Sequence, residues 1–88
     1  YGRMRRSYLK EHCPVLYANL LTRGTLHRHL AEIDQVCNER MAIIVSDMAK
    51  REDVTETLKA SDQMEWVRRM NSIRNRAEEI VLTELVYE

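Results

Sequence analysis

Four arginines, Arg68, Arg69, Arg74 and Arg76, crowd into residues 68–76, just after the only tryptophan, Trp66. Guanidinium groups grip phosphates through a fixed fork of donors, so such a run is a place where nucleic acid could be held. A second such place is the N-terminal stretch "YGRMRRSYLK", where Arg3, Arg5, Arg6 and Lys10 are interleaved with Tyr1 and Tyr8. Arginine-rich arms follow phosphates or enter a minor groove. The same residues would also serve as the solvated face of a first helix whose tyrosines pack inward.

Other chemistry is thinly supplied. His12, Cys13, His27, His29 and Cys37 carry metal-competent atoms, but their spacing matches no chelating motif. His27 and His29 would stand about 200° apart on a helix and could not share an ion. No Ser, Cys or His lies in a nucleophile–base arrangement, and no glycine-rich loop is present to cradle phosphate. The residues therefore point to no catalytic group, no metal and no cofactor, and away from an enzyme. The two cysteines fit no disulfide framework and no secretory signal is visible, which reads as reduced thiols in a cytoplasm. The longest uncharged apolar run is five residues, 41–45. A membrane span needs about 20.

The chain has 88 residues, enough for one small domain, residues 1–88, with a marginal core. It opens on Tyr1 rather than methionine, so an N-terminal extension is expected to precede it. Net charge is zero but uneven. Residues 1–30 hold six Lys and Arg against Glu11 alone, and residues 31–67 hold nine acids against four bases. A neutral total argues against coating nucleic acid by bulk charge, while leaving room for a local basic patch.

Two glycines, one proline and abundant Leu, Met and Arg favour helix throughout. Pro14 predicts a kink or break near His12 and Cys13, with the proline in the first turn of the next helical segment. Gly24 suits a helix C-terminus and Thr25 the next N-cap. From there Leu26, Leu30, Ile33, Cys37, Met41, Ile44 and Met48 recur at helical spacing. Asp53 with Glu56, and Asp62 with Glu65, have capping-box spacing. They predict a short turn near residues 54–60 and a long helix from 62 to about 86. Its stripe is Trp66, Met70, Ile73, Ala77 and Ile80, flanked by Val67, Val81 and Leu85. Two long helices with a short connection predict an antiparallel helical hairpin, with the kinked N-terminal segment packed on it.

On a helical wheel, Arg69 and Arg76 fall on one rim of the apolar arc and Arg68 on the far side. Glu65, Glu78 and Glu79 stand three or four residues away from Arg69, Arg74 and Arg76, as on a solvated helix face. Arg68 with Asn75 is the remaining nucleic-acid candidate in this run. Arg74 falls inside the arc, and Arg40 and Asp47 fall inside the arc of the facing helix. An arginine in such a place needs a partner. A polar network of Arg40, Asp47 and Arg74 is therefore expected in the core or at an interface. A second apolar edge of Met64, Leu82 and Val86, and the small residues Ala31, Ala42 and Ala49 on the other helix, predict a homodimer. The competing arrangement is a monomer in which the N-terminal segment covers Leu82 and Val86.

The strings "YGRMRRSYLKEH", "LAEID" and "DQMEWVRRMNSIRNRAEEIVLTELVY" resemble the transposon-encoded TnpV proteins of conjugative and mobilisable elements in Gram-positive bacteria. The resemblance runs over nearly the whole chain and is densest in residues 62–87. It implies an accessory protein of a mobile element in a bacterial cytoplasm, with an excisionase-like role at element ends, and carries over no catalytic residue. A neutral, strand-free chain with two long helices departs from the small basic winged-helix form of excisionases. The expected function is a non-enzymatic accessory protein that touches DNA at element ends through Arg3, Arg5, Arg6, Lys10 and Arg68. The alternative is a helical adaptor that dimerises or binds the element's recombinase without touching DNA.

Overall fold

The computed structural model describes residues 1–87, and all regular structure among them is helical. The helices are α1 (Gly2–His12), α2 (Pro14–Thr22), α3 (Leu26–Arg51), α4 (Glu56–Ser61) and α5 (Gln63–Val81). The chain then widens into one π-helical turn, Leu82–Val86.

Each break has a local cause. Cys13 leaves the helical region at φ −134° and ψ 58°, and Pro14 takes the first position of α2. A proline there has no N–H to leave unsatisfied. Gly24 adopts φ 71°. The Thr25 amide then reaches Leu20 O at 3.0 Å and the Gly24 amide reaches Leu21 O at 3.2 Å, the two bonds of a Schellman closure. Thr25 occupies the N-cap of α3, yet its hydroxyl caps no amide there and donates back to Leu20 O at 3.5 Å.

The end of α3 repeats this closure with a different residue. Among the described residues Asp53 is the non-glycine residue with positive φ, at 55°. The Val54 amide bonds Ala49 O at 2.9 Å, and Val54 itself is buried. The expected capping role of Asp53 is thus taken by Thr55, whose hydroxyl accepts from the Leu58 amide at 3.3 Å. Asp62 caps α5 as its spacing predicts, accepting from the Glu65 amide at 3.1 Å. Glu65 does not reciprocate; its carboxylate turns to Arg68 and Arg69.

Helices α3 and α5 pack antiparallel, because Glu52 meets Arg76 while Arg40 meets Glu84. Their seam holds Cys37, Ile44, Ala77, Val81 and Val86, all buried. The pairing is staggered. The C-terminal part of α5 lies on α3, whereas α4 packs on α5. Helix α1 packs on α3 and also touches the π turn. This stagger makes a rod of 55 × 19 × 18 Å. Its radius of gyration is 16.8 Å. A compact chain of this length would have about 12 Å.

The wider last turn changes which residues face inward. Val86, expected on an outer apolar edge with Leu82, is fully buried, and Leu82 packs half-buried against the same cluster. Met64, the third member of that edge, is 76% exposed. Among the described residues no helix is long and apolar enough to cross a membrane.

Candidate functional site

Arg5 sits at the junction of the two chain ends. Its Nη1 donates to Val86 O at 3.1 Å, its Nε donates to His29 Nε2 at 3.4 Å, and its guanidinium lies 5.7 Å from the Tyr8 ring centre. Val86 O is a carbonyl at the open end of the α5 helix, where a positive charge is favourable. Arg5 is therefore engaged as a C-terminal cap and is half-buried. His29 must be neutral at Nε2 to accept that bond. Burial lowers its pKa from the ordinary 6.5, and the charge of Arg5 lowers it further. Tyr8 also stacks obliquely on His12 and Tyr87, at 5.1 and 5.6 Å.

Arg3, Arg6 and Lys10 behave differently. They are exposed and, with Ser7, line one open notch on the outer face of α1. Their spacing of three and four residues places them on one helix face. Of the four N-terminal basic candidates, the fold brings these three together and sets Arg5 apart.

The second arginine run is mostly matched locally. Glu65 forms an ion pair with Arg68 Nη2 and accepts a hydrogen bond from Arg69 Nε, each at 2.8 Å. Arg76 reaches both carboxylate oxygens of Glu52 at 2.9 Å, tying α5 to the end of α3. That hydrogen bond holds the Glu52 carboxyl below its usual pKa and raises that of Arg76. Arg68 thus shares a carboxylate with Arg69, and Asn75 is exposed beyond it.

The expected inward network of Arg40, Asp47 and Arg74 does not form within the chain. All three are exposed, and Arg40 pairs with Glu84 at 3.7 Å instead. Ile73 and Ala77 take the buried positions of α5, which turns Arg74 outward. The arc that encloses Arg74 on the wheel is anchored on Trp66, but that end of α5 faces α4, where Lys59 Nζ lies 4.8 Å from the Trp66 ring centre. The described residues also contain no buried polar side chain. The Cys37 thiol is fully buried, and burial pushes its pKa up, away from reactivity.

Two apolar features complete the surface. One is a long open groove between the C-terminal half of α3 and the α4–α5 arm. Ala42, Ser46 and Ala49 line it from α3, Trp66 and Met70 from α5, with Val54 between them and the charged Lys50 and Glu56 also in its lining. The other is α2, "PVLYANLLT", which has no charged residue and no buried one. Val15, Leu16 and Leu21 on it are 75, 43 and 57% exposed. The sequence marks the groove only through the small side chains of Ala42 and Ala49; for the second feature the signal is the uncharged run of α2.

No curated protein and no solved structure matches this chain. A family model does, that of the transposon-encoded protein TnpV, over residues 1–86. The match takes in α1 with its basic notch, α2, the groove and the π turn, and the chain belongs to the TnpV family.

Proposed function

We propose that this transposon-associated protein is a non-catalytic accessory factor that works by docking onto the element's recombination machinery as a helical adaptor. One observation carries the reading. Among the described residues the chain exposes nine large apolar side chains and buries nine apolar ones. Single exposed apolar residues are ordinary, but three of these nine, Val15, Leu16 and Leu21, stand on the one nine-residue helix α2, which has no buried residue. Surfaces of this kind are interaction sites. The test is direct binding between the purified chain and the purified recombinase of its element, by calorimetry. Saturable binding that disappears on substituting Val15, Leu16 and Leu21 together by Ser supports the reading. Absence of binding at high micromolar concentration of both proteins rejects it.

A second reading is favoured by the notch of Arg3, Arg6 and Lys10. These three exposed cations on one face would contact phosphates of element-end DNA. Retention of that DNA should then fall steeply with salt. Changing the three to Ala should flatten the slope by up to about 0.9 for each phosphate no longer neutralised. A slope that is the same in wild type and variant removes DNA contact at this site.

A further inference from the structure

We infer that α1 carries a site for single-stranded DNA, in which phosphates lie on Arg3, Arg6 and Lys10 and an unpaired base stacks on the rings of Tyr8, His12 and Tyr87. This site extends the DNA contact proposed at the basic notch, on which it rests, by naming the form of DNA it takes. Two notches on α1 meet here. The basic one is lined by Arg3, Arg6, Ser7 and Lys10. The other is lined by Met4, Ser7, Tyr8, Glu11, His12 and Tyr87. Ser7 belongs to both, so the two notches share an edge. At about 100° per residue, Arg3, Arg6 and Lys10 fall on one side of Ser7, and Met4, Tyr8 and His12 on the other. The outer face of α1 is thus a row of cations beside a row of rings.

An unpaired strand needs both rows. Cations track its backbone, and aromatic faces take its bases whatever their sequence. Duplex DNA would use the cations alone, because its bases are stacked inside and reach an outside ring only after extrusion. The rings are open and held in place. The His12 side chain is 62% exposed and Tyr87 is 46% exposed. Tyr8 lies between them, tilted by 35° to His12 and 55° to Tyr87, so neither neighbour stacks on it face to face. The Tyr87 amide bonds Leu82 O at 2.9 Å, and Arg5 holds the neighbouring Val86 O at 3.1 Å, which fixes this ring beside α1. The Arg5 guanidinium, 5.7 Å from the Tyr8 ring centre, adds positive charge to the platform. Glu11 stands on the ring side of Ser7, 3.8 Å from His12 Nε2. Its carboxylate repels phosphate there and keeps the backbone of the strand on the cation side.

The test is fluorescence anisotropy of the purified chain with a labelled oligothymidylate of about 12 nucleotides. Its duplex with oligoadenylate and an oligouridylate of equal length are the comparisons. The chain should bind the oligothymidylate at least about tenfold more tightly than the duplex. Tyr87→Leu keeps an apolar side chain but removes the ring. It should weaken single-strand binding by at least about fivefold and leave duplex binding unchanged. Tyr87→Trp should bind as the wild type does, and its added indole emission should be quenched by the strand. Trp66 stands near the start of α5, and its own emission should not respond in the wild type. Circular dichroism should show unchanged helices in both variants, since Tyr87 is exposed. Should Tyr87→Leu disturb the fold, His12→Ala, at a still more open ring, makes the same comparison. Equal affinity for strand and duplex overturns this inference and leaves DNA contact at the basic notch standing. Binding to neither removes both. Single-strand binding that Tyr87→Leu and His12→Ala leave intact overturns the stacking, and tighter binding of oligouridylate overturns the assignment to DNA.

Discussion

Helix α1 carries four Lys and Arg side chains, and α2, one residue further on, carries none. On composition alone α2 should be the buried helix. The structure holds α1 against α3 through the fully buried Leu9 and through Arg5, while α2 buries nothing. The difference lies in position. Helix α1 lies along the stretch of α3 that α5 leaves open, and its one inward cation finds a carbonyl to cap. Helix α2 comes after the break at Cys13 and leans on α1 and α3 without burying a residue. Apolar content supplies a drive to be buried, and the layout of neighbours decides whether it is met.

The contrast between the two helices is easiest to break at Leu9. Leu9→Ala should cost about 2–5 kcal/mol by chemical denaturation, since it leaves a cavity under α1. A loss below about 1 kcal/mol would mean that α1 is not anchored there. Arg5→Ala should cost less, about 1–2 kcal/mol, by freeing Val86 O and His29 together. Arg5→Lys should not restore it, because one ammonium cannot reproduce the fork that reaches both partners.

A smaller effect should accompany pH. The folded pKa of His29 lies below its ordinary 6.5. Its neutral form is therefore favoured by folding. That contribution is whole above about 6.5 and fades as pH falls through the lower folded value, when a protonated Nε2 can no longer accept from Arg5. His29→Gln, an acceptor that does not titrate, should flatten the stability profile across that window. A profile as steep in the variant would assign the acid sensitivity elsewhere. The smallest effect belongs to α2. Val15→Ser, measured dilute enough to keep chains apart, should change stability by no more than about 0.5 kcal/mol. A loss above about 1 kcal/mol would show α2 to be packed and would erase the contrast with α1.

Local signals in the sequence are strong enough to mark the helices and their breaks. Pro14 and Gly24 act through their own backbone, and Asp62 through a side chain that reaches an amide three residues on, so each is legible without knowing its surroundings. Asp53 is not. Its spacing to Glu56 imitates a capping box, but the closure of α3 claims it first, in the left-handed region that aspartate tolerates. Facing is the harder property. A single wheel over residues 62–86 assumes one straight helix with one neighbour. Here α5 faces α4 at its start and α3 further on, and its last turn is wider than the rest. That is why Arg74 turns outward and Val86 inward. Among the nucleic-acid candidates, charge is legible and partners are not. Arg5 reads like Arg3 and Arg6 until Val86 O is brought beside it by the fold, whereas the partner of Arg68, Glu65, stands three residues away on the same helix.

The rod form also sets how this molecule moves through water. With a long axis about three times the short ones, it meets more friction than a sphere of equal mass, and it tumbles more slowly end over end than about its length. A single 10.5 kDa chain will therefore elute from a sizing column ahead of globular proteins of its mass. Two such rods laid side by side become thicker with little gain in length, so pairing changes their friction far less than it changes their weight. Elution position would then separate one chain from two poorly, whereas scattering intensity or sedimentation equilibrium, which weigh the particle, would separate them cleanly.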